Sequence, residues 1–331
     1  MKTISIDQHN NCFNLIRLFA CISVLLFHLG NCMDIHIPII DTLTNPLYGV
    51  PVFFLISGFL IWLSLERNDG FFHFCTKRVL RLYPELWLSV LVEICFLLCL
   101  YGGTIIGYLK LLFFQGLLAQ PYTPQEFAGY GIGTLNYSLW AIPIIIQFYF
   151  LIWCFHRWLK NKSIYVWIGV IILCIAIGVL CIHIDIINGL PSIVKYIIGL
   201  SVGYHLWIFM IGSFVAKFFN KLIPLLSEFW YVPFLALIIY EVVPMPIGSI
   251  VPYSLTGVVL LALFIFGFAY RFPNITIKTD ISYSVYLIHM VFANAVIHLG
   301  YKGNVIAFAI IIAGTLIYAY MSTKLIAYLK S

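Results

Sequence analysis

Apolar runs long enough to cross a bilayer recur along almost the whole chain. A transmembrane helix needs about 20 predominantly apolar residues. Hydrophobic residues make up 63% of the sequence and charged residues only 9%, which excludes a soluble globular domain of this length. We therefore predict an all-α polytopic membrane protein with about ten transmembrane helices, at residues 14–30, 47–65, 83–101, 138–158, 164–183, 196–216, 227–243, 250–270, 281–300 and 304–322.

One further apolar stretch, residues 105–119, is too short to span and precedes a segment rich in Pro, Gly and Tyr. We expect it to be interfacial or re-entrant. No part of the composition sets a soluble domain apart, so we predict that residues 1–331 form a single transmembrane domain. The first run contains Arg17 and lacks a cleavage signature, which indicates a retained helix. The nine cysteines lie mostly in apolar runs without a CxxC pair, a pattern that predicts neither a disulfide framework nor a metal site.

The distribution of basic residues predicts the orientation of the chain. Lysine and arginine in short loops favour the cytoplasmic side. If ten helices begin from a cytoplasmic N-terminus, 15 of the 18 lysine and arginine residues fall inside, and Lys110, Lys195 and Lys302 fall outside. We therefore predict that both termini are cytoplasmic.

The segment RLFACISVLLFH places Arg17 and His28 at the two ends of one apolar run. An offset of eleven residues returns a helical side chain to nearly the same face, about 16 Å further along the axis. Two interpretations remain open. Arg17 extends to the headgroups while His28 marks the interface, or both side chains line a polar interior.

Two other helices carry polar side chains within apolar surroundings. In VPVFFLISGFLIW, Ser57 and Gly58 lie near the middle of the run, where the glycine either allows close helix packing or leaves space for a substrate beside the hydroxyl. In ISYSVYLIHM, Ser282, Tyr286 and His289 share one helix face. Intramembrane histidines in separate helices favour a polar interior.

Three basic residues, Lys77, Arg78 and Arg81, precede the third apolar run in the segment KRVLRLYPELW. Such residues serve as topology signals or contact anionic lipids. They would also bind a ligand rich in phosphate, because guanidinium groups donate charge-assisted, often bidentate, hydrogen bonds to phosphate oxygens.

Together these segments resemble the acyltransferase-3 family of bacterial membrane enzymes, which acylate sugars and some other hydroxyl compounds. The resemblance runs through most of the chain and rests on five segments in order: the Arg-x10-His stretch from Arg17 to His28, VPVFFLISGFLI (50–61), RVLRLYP (78–84), SLWAIPIIIQFYFL (138–151) and ISYSVYLIH (281–289).

The resemblance implies an acyl-CoA donor, commonly acetyl-CoA, that is used from the cytoplasm, and a location in the bacterial inner membrane. It also implies that Arg17, His28, Arg78 and Arg81 match functional positions of the family. The acceptor that we expect is a carbohydrate: a sugar of a lipid-linked repeat unit or of a surface polysaccharide such as O-antigen, capsule or exopolysaccharide. No nucleic acid partner is expected, and the oligomeric state is not predicted.

The chain departs from the family pattern in its fourth helix. A glutamate typically precedes the Gln-Phe-Tyr of that helix, whereas here Ile145 and Ile146 precede Gln147. Glu93 in the third helix could supply the missing carboxylate, the carboxylate could be dispensable, or the chain could be an inactive member. Glu85 adds an acid where the family has a neutral residue.

The mechanistic hypothesis follows from the chemistry of acyl transfer. A sugar hydroxyl is a weak nucleophile and needs a base near neutral pKa, which histidine supplies. We predict that His28 is this base, that Ser57, Tyr286 or His289 donates to the developing oxyanion, and that direct transfer and an acyl-histidine intermediate both remain open. Arg17, Arg78, Arg81 and Lys77 would hold the phosphates of coenzyme A, and no metal is involved.

Two other function classes fit the same pattern. A proton-coupled transporter or flippase also places Arg, His and Glu within membrane helices, although no internal repeat or matched pair of broken helices is visible in the sequence. A non-catalytic partner of a polysaccharide assembly complex would be compatible with the missing glutamate.

Overall fold

The computed structural model describes residues 6–38, 49–67, 70–186, 190–242 and 253–330, and within these ranges every regular element is helical. The α-helices are α1 (Phe13–Met33), α2 (Val50–Glu66), α3 (Phe71–Leu100), α4 (Ile105–Leu111), α5 (Ala141–Leu159), α6 (Ile164–Ile186), α7 (Ser192–Gly199), α8 (Leu206–Lys217), α9 (Phe219–Glu228), α10 (Tyr231–Val242), α11 (Leu255–Arg271), α12 (Ser282–His298) and α13 (Val305–Lys330).

Several of these helices match the length of a membrane span. Among the described residues, five runs are long and apolar enough to cross a bilayer: α1, α3, the run Tyr137–Leu159 that ends with α5, α6 and α13. Helices α8 and α9 meet at a bend of 98° and would make a sixth span if counted as one. The all-helical, multi-pass character is thus confirmed, whereas the number of ten spans stays a prediction. The starts of the predicted runs 47–65 and 250–270 and the end of 227–243 lie outside the described residues.

The chain divides into two compact units. The first unit comprises Met1–Arg17, Leu47–Phe71 and Ile144–Ile277, and the second comprises Leu18–Pro46, Phe72–Pro143 and Lys278–Ser331. Helices α1, α3 and α5 therefore contribute residues to both units. The interpretation of residues 1–331 as a single transmembrane domain stays a prediction.

In the first unit, two glycines allow α2 and α8 to pack backbone against backbone. A methyl group on Gly58 would collide with the carbonyl oxygen of Phe209, and one on Gly212 would collide with that of Leu55. The Ser213 hydroxyl donates to the Gly58 carbonyl at 3.1 Å. Small residues at a helix crossing permit this approach, so Gly58 serves packing and does not open space beside Ser57.

The predicted run 196–216 is not one continuous helix, because the chain breaks between α7 and α8. A short 3₁₀ turn, Val202–Tyr204, separates the two helices. The Gln147 side chain satisfies the backbone at the break: its amide donates to the Leu200 carbonyl at 2.8 Å, and its oxygen accepts from the Val202 N–H at 3.0 Å. An interrupted helix within apolar surroundings needs such partners for its freed backbone groups.

Most of α3 lies in the second unit. The sequence analysis placed Lys77, Arg78 and Arg81 before the third apolar run, whereas the structure places them on α3, which begins at Phe71. With 30 residues, α3 is about 45 Å long and exceeds the hydrocarbon core of about 30 Å. The helix is therefore longer than the apolar layer is thick. The stretch 105–119 contains only short elements, since α4 has seven residues and continues into a π-helical turn, Leu112–Leu117. Its interfacial or re-entrant location stays a prediction.

We predict that Gly58→Ala destabilises the first unit. The added methyl group would force α2 and α8 apart, and overpacking typically costs about 1–3 kcal/mol. Gly169 on α6 provides the matched control, because a methyl group there meets no atom within 4 Å. Thermal unfolding of the two purified variants should show a lowered midpoint for Gly58→Ala and an unchanged or raised midpoint for Gly169→Ala. Equal midpoints would contradict the close packing.

Candidate active site

Two histidines of the second unit form a hydrogen-bonded pair. His28 Nδ1 lies 2.9 Å from His289 Nε2, and the two rings are nearly parallel, with centroids 5.1 Å apart. His289 is fully buried, whereas His28 is half-buried. The structure thus brings together two site residues that the sequence predicted on separate helices, α1 and α12.

A backbone carbonyl sets the proton positions in this pair. His289 Nδ1 lies 3.0 Å from the carbonyl oxygen of Val285, which can only accept a hydrogen bond. A neutral His289 must therefore carry its proton on Nδ1, and its Nε2 accepts from His28. His28 in turn carries its proton on Nδ1, so that its Nε2 has a free lone pair. This tautomer is the one that a general base requires.

The segment before α5 is bound to α12 on one side of His289. The Asn136 side chain donates to the Leu287 carbonyl at 2.8 Å. The Ser138 hydroxyl lies within hydrogen-bond distance of both the Asn136 side-chain oxygen and the Tyr286 carbonyl, at 2.6 and 3.1 Å. The Tyr286 hydroxyl donates back to the Ser138 carbonyl. The proton of Tyr286 is thus already used in holding this segment to the helix.

Asn294 fixes the loop before that segment from the other side of His289. Its side-chain amide donates to the carbonyls of Thr134 and Leu135 at 2.9 and 2.5 Å, and its oxygen accepts from the Ile132 N–H at 2.9 Å. Asn294 is 1% exposed. Gly131 adopts a φ of +58°, and a methyl group there would collide with the Asn294 side chain. The loop therefore closes tightly on α12.

This loop places an aromatic ring against the histidine pair. The Tyr137 ring lies edge-on to the His28 ring, with centroids 6.2 Å apart. The Tyr137 side chain is about half exposed, at 55%. An acceptor that approaches His28 from this side would meet an aromatic face, which is a common platform for sugars and other ring compounds.

The basic residues of α3 lie beside the start of α12. Arg81 Nη2 lies 3.9 Å from the Asp280 carboxylate, and Asp280 accepts from the backbone and side chain of Ser282 at the helix start. The Arg78 guanidinium stacks on Phe74 at 5.1 Å from the ring centroid. Lys77 is exposed on the same helix. From Ser282 to His289, α12 rises about 10 Å. The cations beside the start of α12 are therefore separated from the histidine pair by about 10 Å along this helix.

Glu85 connects three helices of the second unit. Its carboxylate accepts from the Ser284 hydroxyl at 2.8 Å, and that hydroxyl also lies 3.2 Å from Thr323 and 3.1 Å from Ser322. This acid, which departs from the family pattern, therefore holds α3, α12 and α13 together. The sequence analysis did not single out Ser322 and Thr323, which lie at the end of the predicted run 304–322 and directly after it.

Glu93 is a buried acid further along α3. It is 2% exposed, and Gln115 and Tyr130 are its electrostatic neighbours. Gln115 itself donates to the Tyr122 carbonyl at 2.9 Å. Replacement of the missing fourth-helix carboxylate by Glu93 stays a hypothesis.

Two predicted site residues belong to the first unit. Arg17 and Ser57 are both half-buried, on α1 and α2 respectively. Their proposed roles toward coenzyme A and the oxyanion stay predictions. Within the described ranges, no three His, Cys, Asp or Glu side chains converge in a way that could hold a metal ion.

Asn136, Ser138 and Asn294 are the site residues that sequence analysis missed. Each is buried and makes hydrogen bonds to backbone more than 100 residues away. The available signal was an asparagine inside an apolar helix, since a buried amide needs several partners.

Comparison with known proteins gives a family match over nearly the whole chain. A family model described as "Acyltransferase domain" matches residues 10–324. The chain is 26% identical to "Nodulation protein 10" of Rhizobium leguminosarum bv. viciae, covering 96% of this chain and 92% of that protein. It is 22% identical to an "O-acetyl transferase" of Shigella phage Sf6, covering 91% of each. No solved structure matches significantly.

We predict that Asn294→Leu destabilises the loop and the protein. The substitution leaves two carbonyls and one N–H without a partner, and each buried unsatisfied group costs about 1–3 kcal/mol. Asn31 is the matched control, because it is exposed and makes a single local hydrogen bond, to the Phe27 carbonyl. Asn31→Leu should change stability by less than about 0.5 kcal/mol.

Thermal unfolding and limited proteolysis near residues 128–136 check this prediction. Asn294→Leu should lower the unfolding midpoint and expose the loop to protease, and Asn31→Leu should do neither. If both variants behave like the wild type, the loop does not depend on Asn294.

Proposed function

Because the chain belongs to the acyltransferase-3 family and is an O-acyltransferase, we propose that it transfers an acetyl group from acetyl-CoA to a sugar hydroxyl. The acceptor is a surface polysaccharide or its lipid-linked precursor. The observation that carries the proposal is the histidine pair, whose hydrogen bonds leave His28 Nε2 available as a base. Family membership favours this enzyme over the transporter and the non-catalytic partner that the sequence had left open.

In the proposed reaction, His28 Nε2 takes the proton from the acceptor hydroxyl. The hydroxyl oxygen then forms a bond to the thioester carbonyl carbon, and the carbon–sulfur bond breaks. The thiolate of coenzyme A leaves and takes up the proton from His28, so the products are an ester and a thiol. A general base of this kind contributes about 10²–10⁴-fold to a rate.

His289 acts as a positioning residue in this proposal. Its ring nitrogens are both engaged, one with Val285 and one with His28, and the proton of Tyr286 is donated to Ser138. Neither His289 nor Tyr286 thus has a proton left for the oxyanion, and the role of Ser57 as its donor stays a prediction. Removing one oxyanion donor typically costs about 10²–10³-fold in kcat.

The donor is proposed to bind through the cations that the sequence singled out. Arg78, Arg81 and Lys77 lie within the first three turns of α3, and Arg17 lies near the start of α1. Arginine matches the geometry of phosphate oxygens. These residues therefore match the phosphates of coenzyme A in charge and geometry.

We also propose ten membrane spans with both termini in the cytoplasm of the bacterial inner membrane. The support is the distribution of 15 of the 18 lysine and arginine residues on one side. The interrupted run 196–216 would then count as one span with a broken helix, and the short helices α10, α11 and α12 would cross with their flanking residues.

The first test compares surface polysaccharide from cells that carry the wild-type gene, a deletion or His28→Ala at matched membrane abundance. We expect a mass increment of one acetyl group only with the wild type. In purified form, release of coenzyme A on addition of acceptor should fall by about 10²–10⁴-fold in His28→Ala.

His183 provides the matched control, because it is an exposed histidine whose ring bonds only its own helix, at the Val179 carbonyl. His183→Ala should retain full activity. Acetylated polysaccharide from cells with His28→Ala would contradict the role of His28 as the base. Identical polysaccharide in all strains would contradict the proposal that a surface polysaccharide is the acceptor.

A second test separates positioning by His289 from catalysis. We expect His289→Ala to lower kcat by about tenfold or more with little change in KM for the acyl donor, because His28 loses the acceptor that fixes its tautomer. His289→Gln should recover part of the loss, since its side-chain oxygen can accept from His28 Nδ1. If His289→Ala and His289→Gln have the same activity, a hydrogen-bond acceptor at position 289 does not orient His28.

A further inference from the structure

One tyrosine of the second unit is held in place by its neighbours while its own side chain stays exposed. Tyr137 lies between Asn136 and Ser138 at the start of a 3₁₀ turn. Both neighbours are buried, at 2% and 0% exposed, and their side chains bond the carbonyls of Leu287 and Tyr286 on α12. The Tyr137 side chain is 55% exposed. Its backbone is therefore fixed from both sides, although the ring is not packed into the interior.

The Tyr137 ring lies against the proposed base. Its centroid is 6.2 Å from that of His28, and the two ring planes meet at 69°, an edge-to-face contact. Within the part of the chain that the structure describes, no second aromatic ring packs against Tyr137 and no hydrogen bond holds its hydroxyl. Because the planes are steeply inclined, His28 covers at most one face of the tyrosine ring. An aromatic surface beside the base is therefore open.

An open aromatic surface next to a base suits a sugar ring. A pyranose has apolar C–H groups on its faces, which pack against tyrosine, and hydroxyl groups around its rim, which do not. A sugar that lies flat on Tyr137 directs its rim hydroxyls sideways, and the His28 imidazole lies at the side of the tyrosine ring. Holding a hydroxyl within reach of its base in this way accelerates the reaction, because the two groups no longer have to meet by diffusion.

We propose that Tyr137 binds the acceptor by stacking on the sugar ring whose hydroxyl His28 deprotonates. This inference rests on the proposed function, and it adds the residue that selects a ring-shaped acceptor over water. Water also has a proton that His28 can take, and its attack on the thioester would yield acetate and coenzyme A. Since water has no apolar face to stack, Tyr137 favours transfer to sugar over this hydrolysis.

The competing role for Tyr137 is to anchor the protein in the lipid interface. It is the first residue of the apolar run Tyr137–Leu159, and tyrosine is enriched where helices meet the headgroups. Tyr301 is a matched control for this role, because it is 53% exposed in the same unit and lies in the turn after α12. In that turn the Gly303 N–H donates to the Met33 carbonyl at the end of α1. An anchoring role would give Tyr137→Ala and Tyr301→Ala similar effects.

The test measures coenzyme A release from acetyl-CoA by the full-length protein in nanodiscs, with and without acceptor. The acceptor is polysaccharide isolated from the deletion strain. For Tyr137→Ala we expect kcat/KM for the polysaccharide to fall by about tenfold, the loss expected for one aromatic contact. The KM for acetyl-CoA and the rate of release with water alone should match the wild type, because the base and the donor site are unchanged.

Two further variants separate stacking from side-chain size. Tyr137→Trp keeps an aromatic face and should retain transfer within about threefold of the wild type. Tyr137→Leu keeps an apolar side chain without an aromatic face and should resemble Tyr137→Ala. Tyr301→Ala should transfer like the wild type, and the unfolding midpoint of each variant shows that it is folded.

The outcomes distinguish this inference from the proposed function. If Tyr137→Ala loses transfer and hydrolysis alike, or raises the KM for acetyl-CoA, Tyr137 supports His28 and does not bind the acceptor. Equal transfer by Tyr137→Ala and the wild type would overturn the inference and leave the proposed function intact. If the wild type releases no coenzyme A when polysaccharide is added, the proposed function is wrong and the stacking inference falls with it.

Discussion

The hydrogen bond between the Val285 carbonyl and His289 sets the positions of the protons in the histidine pair of the second unit. A backbone carbonyl can only accept, so it fixes one proton on His289 Nδ1. Through the 2.9 Å contact between the rings, the same carbonyl also fixes the tautomer of His28. The basic nitrogen at the half-exposed end of the pair thus depends on a main-chain atom that no single substitution removes.

The rest of the second unit keeps α12 in the position that this arrangement needs. The loop before α5 is held against α12 on both sides of His289 by the side chains of Asn136, Ser138 and Asn294. Glu85 and the hydroxyl of Ser284 fix the start of the helix against α3. Because apolar contacts between helices in a bilayer gain no hydrophobic free energy over contacts with lipid, such hydrogen bonds and close packing set the positions of the helices.

The sequence predicted the helical, multi-pass fold and most helix positions, because bilayer thickness imposes a length on every apolar run. It could not predict the break between α7 and α8, since the group that satisfies the open backbone is Gln147, more than 50 residues earlier. It placed His28 and His289 on polar helix faces, but which faces meet depends on contacts between helices 261 residues apart. Asn294 went unnoticed because its partners are carbonyls of a distant loop.

The pairing of His28 with a second imidazole has a consequence for the proposed chemistry. In many esterases and proteases a carboxylate accepts from the base and stabilises the imidazolium that forms. Here the partner is neutral, so it orients His28 and offers a stronger hydrogen bond once His28 is charged, but it adds no opposite charge. Acyl transfer from a thioester tolerates this, because the leaving thiolate is a far weaker base than an alkoxide or an amide anion and needs a proton from His28 only late in the reaction.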